Sequence, residues 1–189
     1  MSSGGYKITD QAATYFVSFA VVGWVDVFTR KEYRDVVIDS LKYCQLNKGL
    51  VIYAWLIMSN HVHLIISSKE NNISKVFGEF KKFTSKQIID SIVSHPGESR
   101  KEWMIKIFKE AGEQNSRNKD YQFWQQDNQP KEIFTKEFAT QKLEYIPARR
   151  IVQAGIITRW KRVCRKSRRV HLQQCQRLSL WQAMRSNRN

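Results

Sequence analysis

Residues 53–68 read YAWLIMSNHVHLIISS, and two of the chain's four histidines, His61 and His63, stand one residue apart within this apolar run. In an extended strand, side chains i and i+2 leave the same face, so the two imidazoles would project together with about 7 Å between their Cα atoms. Val62, Leu64 and Ile66 would point the other way, ready to pack beneath helices. Two neutral imidazoles that converge can ligate one divalent ion, and as ligands they suit Mn, Zn or Fe better than bare Mg. The competing reading is a pair of half-exposed polar residues on a solvated sheet face. Partners decide between the two. Downstream, FWQQDNQP and KLEYI offer Gln126, Asp127, Asn128, Glu144 and Tyr145.

A tyrosine beside such an ion suggests nucleophilic attack on a phosphodiester. The cation draws charge from the phosphate, and the phenol oxygen attacks in line to give a covalent phosphotyrosine. Such an ester keeps the energy of the broken bond, so a strand could be rejoined without ATP. Free tyrosine titrates near about pH 10, so a neighbouring cation must favour the phenolate. The competing reading of Tyr145, one of seven tyrosines, is an ordinary aromatic on an amphipathic helix.

These groups need elements to hold them. Residues 14–24 (TYFVSFAVVGW) are β-branched and aromatic, which predicts a buried strand. A helix follows, with Tyr33, Val36, Val37, Leu41 and Cys44 on one face and Gly49 as its stop. LVIYAWLIM and HVHLIISS predict a hairpin closed by a short turn at Ser59 and Asn60. Next comes a long amphipathic helix carrying Ile73, Val76, Phe77, Phe80, Phe83, Ile88, Ile89 and Ile92, then a short helix over RKEWMIKIFKEAG. YQFWQQDN predicts a fourth strand, and TKEFATQKLEYI a helix capped by Thr135. This order implies an α+β domain, a ferredoxin-like antiparallel sheet with helices on one face and the histidines on a central strand.

In this order and spacing, LIMSNHVHLII, FWQQDNQPKEIFT and FATQKLEYI resemble the REP-associated tyrosine transposases of the HUH superfamily, from about Tyr15 to Ile146. The resemblance implies that His61 and His63 are metal ligands and that Tyr145 forms the 5′-phosphotyrosine. It implies cleavage and rejoining of single-stranded DNA beside hairpins with Mg²⁺ or Mn²⁺, and it allows a homodimer whose tyrosine helix serves the partner's site. Two positions depart from the pattern. Ser59 replaces a Pro, and YIPARR replaces the element whose Asn helps complete the metal site. The position four after Tyr145 is Arg149, which cannot ligate a cation, and Pro147 would disturb a helix there. Gln126, Asp127 or Asn128 would have to substitute.

The formal charge of +15 is unevenly spread. From Pro147 onward there are ten Arg, two Lys and no acidic residue; the first 146 residues hold the remaining 20 basic residues against all 17 acidic ones. Residues 1–146 therefore form the expected catalytic domain and 147–189 a basic tail. One reading makes the tail a disordered arm that grips phosphates. The favoured one makes it the product of a frameshift after Tyr145: codons for Arg168–Cys175, read one base later, can spell EEYIYSSA, similar to a C-terminal segment of the family. DNA contacts would then fall to Lys75, Lys81, Lys82 and Lys86 on the long helix and to Trp124 for stacking; the competing readings are a solvated helix face and a buried ring.

No apolar leader or membrane-length run is present, and the three scattered cysteines fit neither a disulfide framework nor a zinc knuckle, so a cytoplasmic protein is expected. Two alternatives to a DNA-joining enzyme stay open: a single-strand binding module that has lost its complete metal site, and a metal-dependent phosphohydrolase that uses water.

Overall fold

The computed structural model describes residues 8–115, 120–126, 128, 130–135, 137–138, 141–142 and 153–156. The chain divides into residues 1–155 and 156–189, and apart from Ile156 at the end of its last strand the fold described belongs to the first part. Its elements are β1 (Tyr15–Ala20), α1 (Lys31–Asn47), β2 (Leu50–Ile57), β3 (His61–Ser68), α2 (Ile73–Ser94), α3 (Lys101–Glu113), β4 (Lys131–Glu132) and β5 (Gln153–Ile156). The sheet order is β4-β1-β3-β2-β5, with β3 antiparallel to both neighbours and β4 antiparallel to β1. The first four strands follow the ferredoxin-like order, and the fold is α+β as expected. The strand that begins with His61 is central.

Strand alternation sorts the sheet into two faces. Tyr15, Val17 and Phe19 of β1 lie opposite Ile66, Leu64 and Val62 of β3, and all six are buried. Phe19 meets Phe77 and Phe80 of α2 edge-on, at 5.2 and 6.1 Å between centroids. The helix layer therefore covers this face, with α1 packed beside α2. On α2 the inward stripe is Ile73, Val76, Phe77, Phe80, Thr84, Ile88, Ile89 and Ile92. Phe83, expected to be apolar core, is 55% exposed. Thr84 takes the inward position one turn after Phe80 and accepts a hydrogen bond from Trp124 Nε1 at 3.1 Å.

Helix α1 stops where the sequence places a glycine. Lys48 N–H donates back to Cys44 O, and Gly49 takes φ +65°, a left-handed value that a residue without Cβ adopts at little cost. The β2–β3 turn is two residues long, closed by Met58 N–H to His61 O at 2.8 Å. Both turn carbonyls are occupied as well: Ser59 O accepts from Phe28 N–H and Asn60 O from Val21 N–H. A β-bulge between Ile52 and Ala54 accommodates Tyr53, whose hydroxyl bonds with Ser67 Oγ at 3.1 Å.

Two expected strands differ. The strand predicted over residues 14–24 ends at Ala20, because Gly23 (φ +62°) and Trp24 (φ +55°) turn the chain into a short 3-10 helix. YQFWQQDN forms no strand among its described residues; Trp124 makes only an isolated bridge with Val21. Its aromatics serve burial instead. Phe123 and Trp124 are 1% and 5% exposed, and Trp124 stacks on Phe28. Apparent β-propensity there reflects fit to the core rather than ladder pairing. The outer pairing to β1 comes from Lys131–Glu132.

A buried carboxylate ties the loop before α3 to α1. Glu98, 5% exposed, sits 2.7 Å from Arg30 Nε and 3.1 Å from Arg100 Nε, and accepts a hydrogen bond from Tyr33 Oη at 3.1 Å. Burial alone would raise its pKa; hydrogen bonds from Arg100 and the charge of that residue outweigh burial and hold the carboxyl at about 2. Burial and the nearby carboxylate push the Tyr33 phenol up to about 12.

The expected boundary after residue 146, and the Arg168–Cys175 segment, lie outside the described residues.

Candidate active site

His61 and His63 stand on the sheet face away from α2, as strand alternation requires. Their β1 partners are Ala20 and Ser18, two small residues that leave room for rings above the sheet. The imidazole centroids are 4.7 Å apart with the planes nearly perpendicular at 84°. Phe16 stacks on His63 at 5.4 Å and 19°, and the Trp24 indole meets His61 edge-on at 5.9 Å. His63 is 6% exposed and His61 half-buried.

The turn residue Asn60 fixes the His61 tautomer. Trp24 O can only accept, so the Asn60 amide must direct its Nδ2 there, at 3.1 Å. That leaves Asn60 Oδ1 for His61 Nδ1, 2.7 Å away. An amide oxygen only accepts, so Nδ1 carries the proton and Nε2 keeps its lone pair. An imidazole whose other nitrogen is held by a carbonyl-type acceptor is the usual oriented form of a metal-binding histidine.

Both rings favour the neutral state. Burial lowers the His61 pKa. Burial, then the charges of His61 and Lys142, lower His63 to about 4. Neutral imidazoles are the form that binds a cation. The chain thus offers two neutral nitrogen donors of the kind that binds a divalent ion, Mn²⁺ more readily than Mg²⁺. Among the described residues no group of three or more His, Cys, Asp or Glu gathers to complete a site.

The segment leading to Tyr145 reaches this same face. Phe138 N–H donates to Thr135 Oγ1 at 3.2 Å, the expected N-cap, and residues 137–138 and 141–142 are helical. Lys142 Nζ lies 5.3 Å from the Phe16 ring centroid and 5.0 Å from that of Phe138. Lys142 is thus a cation close enough to depress His63. Tyr145 follows by three residues and lies outside the described residues, as do Asp127, Glu144, Pro147 and Arg149.

The other expected site residues are placed elsewhere. Asn128 Oδ1 accepts from Lys81 Nζ at 3.0 Å, and Lys81 sits 6.0 Å from the Phe19 ring on the helix side of the sheet. Asn128 is therefore committed away from the histidines. Gln126 lines an open cleft of about 420 Å³ with Val22, Gln114, Asn115, Gln122 and Gln125. Lys81 also donates to Gln125 O at 3.2 Å, and burial pulls its pKa down to about 8. Lys75, Lys82 and Lys86 are exposed on α2, across the sheet from the imidazoles. Of the two readings of Trp124, base stacking and a buried ring, the structure shows the second: Phe28 stacks on it and Phe19 and Phe123 lie edge-on, so no ring face is left for a base. Reasoning from sequence missed Asn60, Trp24, Phe16 and Lys142. The one local signal was an Asn directly before the first histidine; the other three need tertiary contacts to be seen.

Residues 19–104, which hold both histidines, match the family described as IS200-like transposases. A solved REP-associated tyrosine transposase bound to a REP hairpin is similar at 14% identity, covering 77% of this chain and 70% of that one, with a TM-score of 0.51. A putative transposase from Deinococcus radiodurans R1 is 17% identical, covering 77% and 95%, at a TM-score of 0.45. No curated protein matches the chain. The first structural likeness shows the shared fold, and the chain resembles transposases in both sequence and architecture. No helix among the described residues is long and apolar enough to cross a membrane.

Proposed function

We propose that this protein cuts and rejoins single-stranded DNA beside hairpins, with His61 and His63 holding a divalent cation and Tyr145 attacking the phosphodiester. One observation carries the reading: two neutral imidazoles stand side by side on a sheet face to which Lys142, three residues before Tyr145, also comes. A bound Mg²⁺ or Mn²⁺ would supply charge that polarises the phosphate. The chain's own groups do the rest. Asn60 holds His61 with Nε2 unprotonated. Lys142 adds a fixed positive charge that favours both the phenolate and the phosphate's developing negative charge. The Tyr145 oxygen forms a bond to phosphorus as the 3′ oxygen leaves, giving a 5′-phosphotyrosine and a free 3′-hydroxyl. Attack by a 3′-hydroxyl on that ester reverses the step, rejoins DNA and returns the phenol.

The test is incubation with hairpin-flanked single-stranded DNA and Mn²⁺, followed by denaturing electrophoresis for a covalent adduct. A binding module of the same fold is the second reading, favoured by Arg149 at the position where the resembled family has its Asn ligand. It predicts retention of DNA with no adduct. A domain of residues 1–146 followed by a tail that arose by frameshift remains part of the proposal, as do a homodimer and a cytoplasmic location. The gene's shifted reading frame around Arg168–Cys175 checks the tail.

Asn60→Ala is expected to weaken Mn²⁺ affinity by about 10–100-fold, the usual effect of removing a group that orients a ligating histidine. Isothermal titration with Mn²⁺ measures this directly. Affinity equal to wild type would mean that Asn60 only shapes the turn.

A further inference from the structure

Trp24 stands out among the aromatic side chains. It is 59% exposed, yet its ring lies against His61. Its backbone is left-handed at φ +55°, directly after Gly23 at φ +62°. A bulky residue pays a steric cost in that region and stays there only where its surroundings hold it. Here they do. Trp24 N–H donates to Val21 O at 3.0 Å, and the Asn60 amide grips Trp24 O. Gly23 packs so near α3 that a Cβ would lie 3.1 Å from Ile107 Cγ2. The indole is thus held out in water by a tightly bonded turn, with no core role to account for it.

We propose that Trp24 is a stacking platform for an unpaired nucleobase flanking the phosphodiester that lies at His61 and His63, an inference that rests on the DNA-processing reading above. An aromatic face binds any base without hydrogen-bond readout, which suits a strand held open beside a hairpin. A base and its phosphate are separated by one sugar. A phosphate at the imidazoles therefore brings a neighbouring base within reach of a ring whose centroid is 5.9 Å from that of His61. Asn60 bonds to both the Trp24 backbone and the His61 ring, so base platform and imidazole are held in fixed relation.

The test measures binding of a DNA hairpin with a single-stranded 5′ extension by fluorescence anisotropy, repeated with an abasic site walked along the extension. Trp24→Ala and Trp24→Gly are expected to bind about 5–150-fold more weakly, the range for losing one base–aromatic stack. Trp24→Phe should keep most of the affinity. The Gly variant suits the left-handed backbone, so misfolding does not explain its loss. In wild type, one abasic position should cost a similar factor, and in Trp24→Ala that same position should cost nothing. Unchanged binding in both variants, or an abasic penalty that persists in Trp24→Ala, overturns the platform and leaves the DNA reading standing. Failure of the wild type to bind the hairpin overturns both.

Discussion

Tyr145→Phe is expected to abolish the covalent protein–DNA adduct while the protein still retains hairpin-flanked single-stranded DNA. The substitution removes one oxygen, the only atom that can form the ester, and leaves the ring. His63→Ala should cut adduct formation by about 10³-fold, since a lost ligand removes several kcal/mol of charge stabilisation at the phosphate. The pair separates three chemistries. Cleavage that survives in Tyr145→Phe but fails in His63→Ala would identify a water-using phosphohydrolase. Retention of DNA by the wild type without any adduct would identify a binding module. Denaturing gels with end-labelled DNA read all three outcomes.

The second large effect lies away from the site. Glu98→Ala should destabilise the protein by about 1.5–3 kcal/mol, the worth of hydrogen bonds to a charged group, because it strips Arg30 and Arg100 of the buried carboxylate they share while both keep contact with water. For a chain of this size that corresponds to a fall of about 3–12 °C in Tm, measured by thermal denaturation. The pH dependence follows from the same carboxylate. Its folded pKa of about 2 lies below the ordinary value of 4.5. Its contribution is therefore complete above that ordinary value and is lost as pH falls toward 2. Wild type should lose stability across that acid window, and the Ala variant should show a flatter slope there. Equal slopes would mean that Glu98 is not the group responsible.

Much of the fold was legible because strand and helix periods are rigid. The alternation in HVHLIISS set which side chains of β3 share a face, and the Leu41–Cys44 face and Gly49 defined α1 and its end. Residues 121–128 read as a strand because aromatic content marks burial as readily as pairing; Phe123 and Trp124 fill the core. Trp24 was read into a strand because a left-handed backbone at a tryptophan has no signature in residue type. The histidine pair could be seen in a string of letters. Its surroundings could not: Phe16 is 47 positions before His63 and Lys142 is 79 after it, and only packing brings them together. Lysine spacing along α2 showed a charged stripe but not that the stripe lies across the sheet from the imidazoles.

The two-residue turn at Ser59 and Asn60 has one more consequence. Both of its carbonyls are claimed by Val21 and Phe28, so the loop has no slack to absorb a change in chain length. A codon gained or lost there would shift β3 by one place, turning the imidazoles into the oily layer and Val62, Leu64 and Ile66 out to solvent. Descendants of this gene can vary the letters of that corner, but not how many there are.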